Sequence, residues 1–79
     1  MNKEEIMNRL TNVFRSVFDD EEINISDKTT ADDIEDWDSL EHINLLVAVE
    51  QEFNIKFNMN EVGNMKNVGD MVDIIISRM

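Results

Sequence analysis

The sequence contains no cysteine, no proline, two glycines and only seven lysines and arginines among 79 residues. Lacking cysteine, it has no disulfide framework and no thiolate metal site, so the core must hold by packing alone, as suits a reducing compartment. Lacking proline, and with glycine confined to Gly63 and Gly69, it has little to interrupt helices. The shortage of bases matters as much, because 18 acidic residues against 7 basic ones give a formal charge of -11. Nucleic acid and anionic lipid are themselves polyanions and repel such a chain; basic protein surfaces are its natural partners. No apolar run approaches the length of a membrane span, and "MNKEEIMNRL" carries a lysine and two glutamates where a signal peptide needs an apolar stretch. The expectation is a soluble, cytoplasmic, monomeric protein with one domain over residues 1–79 and no nucleic-acid or membrane partner.

A domain of this length buries only roughly 60–65% of the surface its unfolded chain exposes, which leaves little room for an enclosed active-site cavity. Ile6, Leu10, Val13, Phe14, Val17 and Phe18 recur at steps of three and four, predicting a helix from about residue 3 to 18. The stretch "DDEEINISDKTTADDIED" loses that period and is rich in Asp, Asn, Ser and Thr, whose side chains compete with helical backbone bonds. It reads as a long loop, pinned to the core by Ile23, Ile25 and Ile34. A second helix begins at Asp38 or Ser39, either of which can cap free N–H groups, with Glu41 three residues after Asp38 as in a capping box; it runs to about Phe53. A short third helical turn is expected near Met59 to Asn64. Asn67 then caps a last helix carrying Val68, Met71, Val72, Ile75 and Ile76. The fold class is all-α, a bundle of three main helices and one minor one with a long first connection.

Winding residues 39–53 at about 100° per residue separates two apolar stripes. Leu45, Leu46, Val49 and Phe53 form an ordinary core face. Leu40, Ile43 and Val47 form a second stripe, centred roughly 140° away. That second stripe either packs against the loop or the third helix, or stands free as a docking ridge with Asp38, Glu41 and Glu50 as its acidic rim.

Ser39 sits between Asp38 and the apolar helix with no obvious base. Hydrolytic chemistry needs a base, an orienting acid and an oxyanion site. The single histidine, His42, is one turn away and points toward the core stripe, which suits a partly buried helix residue better than a general base. A glycine-rich phosphate loop and a paired-histidine metal motif are both missing.

The segment "DSLEHINLLVAVEQEF", with a periodic apolar helix before it in an acidic chain of this size, resembles the acyl carrier proteins, in which Asp-Ser-Leu is the signature; here it is Asp38, Ser39 and Leu40. The tripeptide alone is common. Its place, mid-chain after an acidic loop and opening a periodic helix, makes it specific, and the likeness covers essentially the whole chain. The resemblance implies a four-helix bundle and a carrier without catalysis of its own. It makes Ser39 the attachment point for phosphopantetheine, delivered from coenzyme A by a phosphopantetheinyl transferase (holo-acyl carrier protein synthase). Acyl or aminoacyl groups then ride on the arm as thioesters, presented to an activating ligase, ketosynthase or acyltransferase. It also puts Asp38, Leu40, Glu41, Ile43, Val47 and Glu50 on the helix that meets partner enzymes, and offers Leu45, Leu46, Phe53, Met65 and Ile75 as lining for a sequestered chain. No metal site and no catalytic residue is expected.

Some positions depart from the family pattern. Asp36 stands where a glycine is common, Trp37 where primary fatty-acid carriers have a small or aliphatic residue, and Asn44 and Gln51 where those carriers are often acidic. These features resemble specialised carriers serving a dedicated activating enzyme. Trp37 itself is expected to cover the end of the core rather than to touch the arm. Two rival classes remain. A calcium-binding module is suggested by the acidic run over residues 19–41, but its loop needs a glycine at the sixth position and no glycine precedes Gly63. A plain interaction domain would use Ser39 only as a helix cap.

Overall fold

A computed structural model describes all 79 residues. The chain forms α1 (Lys3–Val17), a 3-10 turn (Ala31–Asp33), α2 (Ser39–Phe53), α3 (Met59–Val62) and α4 (Val68–Ser77), with no strand. Each helix starts where a short polar side chain can take an orphan amide. Asn2 accepts from Glu5 N–H, Asp38 from Glu41, Asn58 from Glu61 and Asn67 from Asp70. In α1 the acidic Glu4 and Glu5 lie in the first turn and Arg15 in the last, the arrangement that complements the helix dipole.

Ile6, Leu10, Val13 and Phe14 of α1 are buried, as the spacing predicts, and α1 lies along α2 while touching α4. Seventeen buried apolar side chains form one cluster, so the three long helices and the first loop share a single core. On α4 the buried stripe is Val68, Met71, Val72 and Ile75. Ile76, expected on that face, is 45% exposed instead. It lies about 100° further round than Ile75, past the width that α4 presents to its neighbours.

The 18–38 connection is anchored as expected at Ile23 and Ile34, both buried, and at Ile25, which packs partly buried against the same cluster. It is not wholly irregular. Thr30 N–H donates to Asp33 Oδ2 at 2.9 Å, and Asp33 N–H donates back to the Thr30 carbonyl at 3.0 Å, closing the 3-10 turn. Arg15 clasps the loop from α1, donating from Nε to the Ile23 carbonyl at 2.8 Å. At the other end the loop sits on α4: Val68 N–H donates to Thr29 O and Gly69 N–H to Asp27 O, both at 2.9 Å. A Cβ added to Gly69 would lie 3.0 Å from that Asp27 oxygen, so a larger residue there would push the loop off α4 by a few tenths of an ångström.

The third helix is only four residues long and buries none of them. The expected turn at 59–64 therefore ends early, at Val62, and polar clasps hold it. Asn58 and Glu61 cap each other, and Arg78 at the end of α4 pairs with Glu61. The Asn58 N–H donating to Glu61 holds that carboxyl below its ordinary 4.5, and Arg78 adds to the effect. A depressed folded-state pKa means the contribution is complete above the ordinary value and is lost as pH falls through the lower, folded one. Protection of the amides in residues 58–62, taken relative to the intrinsic exchange rate at each pH, should accordingly fall on acidification below about the usual carboxylate range. Glu61→Gln, which keeps an acceptor but cannot titrate, should remove that pH dependence; an unchanged profile would sink the idea.

No helix is long and apolar enough to cross a membrane. The carboxylates of residues 19–41 do not converge, and nowhere do three Asp, Glu, His or Cys side chains lie where they could hold one ion.

Candidate functional site

The start of α2 is built by Asp38. Its backbone is extended and its Oδ1 accepts Glu41 N–H at 2.8 Å, so Asp38 is the cap and Ser39 is the first helical residue. The reciprocal half of a capping box is missing. Glu41 Oε1 accepts from Asn44 Nδ2 at 3.1 Å, and the Asp38 amide goes to Asp36 O. Asp38→Ala should cost about 0.5–2 kcal/mol in urea denaturation, since it frees the Glu41 amide. A change within error would show that water replaces the cap.

Ser39 is exposed, and its hydroxyl takes part in no hydrogen bond. The amides of Ser39 and Leu40 likewise donate to nothing within the protein, as expected of the first turn of a helix. Beside the serine runs a groove of about 510 Å³, within the roughly 300–1,000 Å³ typical of small-molecule sites. Its polar side is Asp38, Ser39, His42 and Lys66, and Lys66 is the only lysine or arginine lining it. Its apolar side is Trp37, Ile43, Val62 and Met65.

The two stripes of α2 separate as the winding predicts. Leu45, Leu46, Val49 and Phe53 are buried. Leu40, Ile43 and Val47 are 71%, 50% and 47% exposed, so neither the loop nor α3 covers them. The proposed acidic rim is less uniform. Asp38 is exposed but serves as the cap, Glu41 is half-buried, and Glu50 Oε2 accepts Phe57 N–H at 2.8 Å, tying α2 to the segment before α3. Of the five residues offered as lining for a carried chain, only Met65 faces the groove. Leu45, Leu46, Phe53 and Ile75 are packed in the core.

Trp37 and His42 meet here. The Trp37 indole is buried, edge-on to Phe14 with ring centroids 5.2 Å apart, and closes the end of the core. Its Nε1–H donates to His42 Nδ1 at 3.0 Å while His42 Nε2 lies 3.3 Å from the Val62 carbonyl. The two bonds fit together in the neutral imidazole with its proton on Nε2, so Nε2–H donates to Val62. Neither ring nitrogen is turned to Ser39, and the pair is no nucleophile–base arrangement. This contact is missed by periodicity but has a local signal. Trp37 precedes the cap and His42 is the fourth helical residue, the two positions of a hydrophobic staple.

A family model described as "Phosphopantetheine attachment site" matches residues 8–75. The chain belongs to the acyl carrier protein family. It is 36% identical to the acyl carrier protein of Acidothermus cellulolyticus over 76 residues, covering 95% of this chain and 89% of that one. It is 32% identical to the mitochondrial acyl carrier protein of Saccharomyces cerevisiae, covering 98% of this chain and 65% of the relative. The solution structure of a holo acyl carrier protein from Geobacter metallireducens superposes with a TM-score of 0.85 at 44% identity, over 91% of this chain and 83% of the other.

An acyl carrier protein bears covalently attached phosphopantetheine, and the start of α2 fits that group. A phosphodiester at Ser39 would meet the unpartnered Ser39 and Leu40 amides and the positive end of the α2 dipole. The arm supplies a terminal thiol on which acyl groups are carried as thioesters. The start of α2 has an exposed Ser39 hydroxyl, the groove beside it and the exposed stripe of Leu40, Ile43 and Val47. Membership of the carrier family implies interaction with a phosphopantetheinyl transferase and with biosynthetic enzymes, and the calcium-binding and plain-interaction readings are not favoured.

Proposed function

We propose that Ser39 is the attachment point and that residues 1–79 work as one non-catalytic carrier domain in the cytoplasm. The observation that carries this is the exposed, unbonded Ser39 hydroxyl at the first position of α2, beside free amides and at the edge of the groove. In the transfer from coenzyme A, Ser39 Oγ loses its proton and bonds the phosphorus while the nucleotide half of coenzyme A leaves. The base that accepts the proton belongs to the transferase, which accounts for its absence from this chain.

Leu40, Ile43 and Val47 form the apolar centre of the docking surface, with Asp38, Glu41 and the remaining oxygen of Glu50 at its rim. The partners are basic-surfaced enzymes: the transferase, then an acyl- or aminoacyl-activating ligase, a ketosynthase or an acyltransferase. Asn44 and Gln51 lower the charge of this helix, and with Asp36 and Trp37 they support service to a dedicated activating enzyme rather than to primary fatty-acid synthesis. Tethering makes each delivery local, raising the effective concentration of cargo at any enzyme that docks.

Incubating the protein with coenzyme A and a promiscuous transferase tests the reading by intact mass. The wild type should gain one phosphopantetheine and Ser39→Ala none. A wild-type chain that no transferase modifies would overturn it.

A further inference from the structure

Seven lysines and arginines serve a chain of formal charge -11, and most of them are already engaged. Lys3, Arg9 and Arg78 pair with Asp27, Glu52 and Glu61, and Arg15 clasps the Ile23 carbonyl and Asn24. Lys28, Lys56 and Lys66 bond through their backbones alone, and their ammonium groups take part in no ion pair or hydrogen bond. Of these three, only Lys66 lines the groove beside Ser39. Its backbone is held while its head is free. Lys66 N–H donates to Asp70 Oδ2 at 3.0 Å, the preceding Met65 packs partly buried against the core, and Asn67 caps α4.

We propose that Lys66 is the counter-ion of the phosphodiester on Ser39, so that attachment of the arm ties the link between α3 and α4 to the start of α2. This inference rests on the carrier reading of Ser39. The phosphodiester brings a further negative charge to a place already acidic, since Asp38 shares the groove and also borders a hollow with Glu35, Asp36 and Glu41. One cation at the same opening offsets that repulsion. His42 does not take the part, because both of its ring nitrogens are engaged by Trp37 and Val62. Lysine suits it, as a compact charge on a flexible four-carbon stem reaches a phosphate oxygen without a fixed fork geometry. The phosphate rather than the cargo is its partner, because the phosphate stays bonded to Ser39 through every loading state while the thiol end of the arm ranges away.

The test compares wild type, Lys66→Gln, Lys66→Arg and Lys28→Gln before and after modification by a promiscuous transferase with coenzyme A, with intact mass read first. At low salt, modification should lower the melting temperature of Lys66→Gln by roughly 1–8 °C more than that of the wild type, the range of one exposed ion pair in a domain of this size. The gap should close in about 1 M sodium chloride, where charges are screened beyond about 3 Å. Lys66→Arg keeps the charge and should follow the wild type. Lys28→Gln, which loses the same charge away from the groove, should follow it too. By NMR, the Lys66 side-chain signals should move when the wild type is modified, and the phosphorus signal should differ between modified wild type and modified Lys66→Gln. Equal effects of modification on wild type and Lys66→Gln, with unmoved Lys66 signals, would refute the pairing. A Lys28→Gln that matches Lys66→Gln would reduce the effect to net charge and refute it as well. A wild type that gains no mass is a separate result, which takes the carrier reading down together with this proposal.

Discussion

Alanine at position 39 is expected to abolish the phosphopantetheine mass gain completely while leaving the melting temperature almost unchanged. The two halves of that result have separate causes. Attachment needs a hydroxyl, and alanine has none. Stability is indifferent because Asp38, not Ser39, accepts the Glu41 amide, and the Ser39 side chain is exposed and makes no bond. Alanine is also the better residue inside a helix, by up to about 0.5 kcal/mol over serine. Surface changes of this kind stay within about 0.5 kcal/mol either way. Had Ser39 been the cap, the same substitution would cost about 0.5–2 kcal/mol, and a lost modification could be blamed on a loosened helix start. Intact mass and a thermal melt on the same sample therefore read chemistry and folding independently. Residual modification of the variant would move the attachment to another hydroxyl. A melting temperature lowered by about 4–8 °C, equivalent to about 1 kcal/mol in a domain of this size, would mean that Ser39 holds the helix start after all.

The parts of this fold that can be read from the sequence are those that a period or a cap writes locally. In α1 the Ile6, Leu10, Val13, Phe14 stripe needs only its own spacing to declare a buried face, and in α2 the same logic separates Leu45, Leu46, Val49 and Phe53 from Leu40, Ile43 and Val47. Spacing could not decide whether that second stripe was covered, since the answer depends on where α3 and the first loop lie. The turn at Ala31–Asp33 is hidden among Asp and Thr residues that mark loops as readily as they cap turns, and only the Thr30–Asp33 pairing distinguishes the two. Glu50 looks like one more surface acid on the helix face, yet its carboxylate is engaged by Phe57 seven residues on. His42 to Val62 spans 20 residues and answers to no pattern at all. Ser39, the proposed attachment point, stands out for the opposite reason, since everything that positions it lies within three residues along the chain.

Trp37→Ala should be the most destabilising single change on this surface of the bundle, costing about 3–5 kcal/mol in urea denaturation followed by circular dichroism. The indole is 8% exposed, closes the core against Phe14 and Phe18, and is too large for its neighbours to fill when it is removed. At about 0.05–0.15 kcal/mol per residue the whole domain is held by roughly 4–12 kcal/mol, so the variant approaches the unfolded state. Trp37→Phe isolates the polar part. It keeps an aromatic ring beside Phe14 but leaves His42 Nδ1 without its donor, which costs up to about 1–3 kcal/mol where water cannot replace the bond. A double-mutant cycle of Trp37→Phe with His42→Ala then gives the coupling, expected at about 0.5–3 kcal/mol for residues in one hydrogen-bonded contact. Loss of less than about 1 kcal/mol in Trp37→Ala would mean that the core closes without the indole. A coupling near zero would mean that the Trp37–His42 bond adds nothing beyond shape. The expected values instead make one tryptophan serve two ends, since the same ring that completes the core orients the imidazole lining the groove beside Ser39.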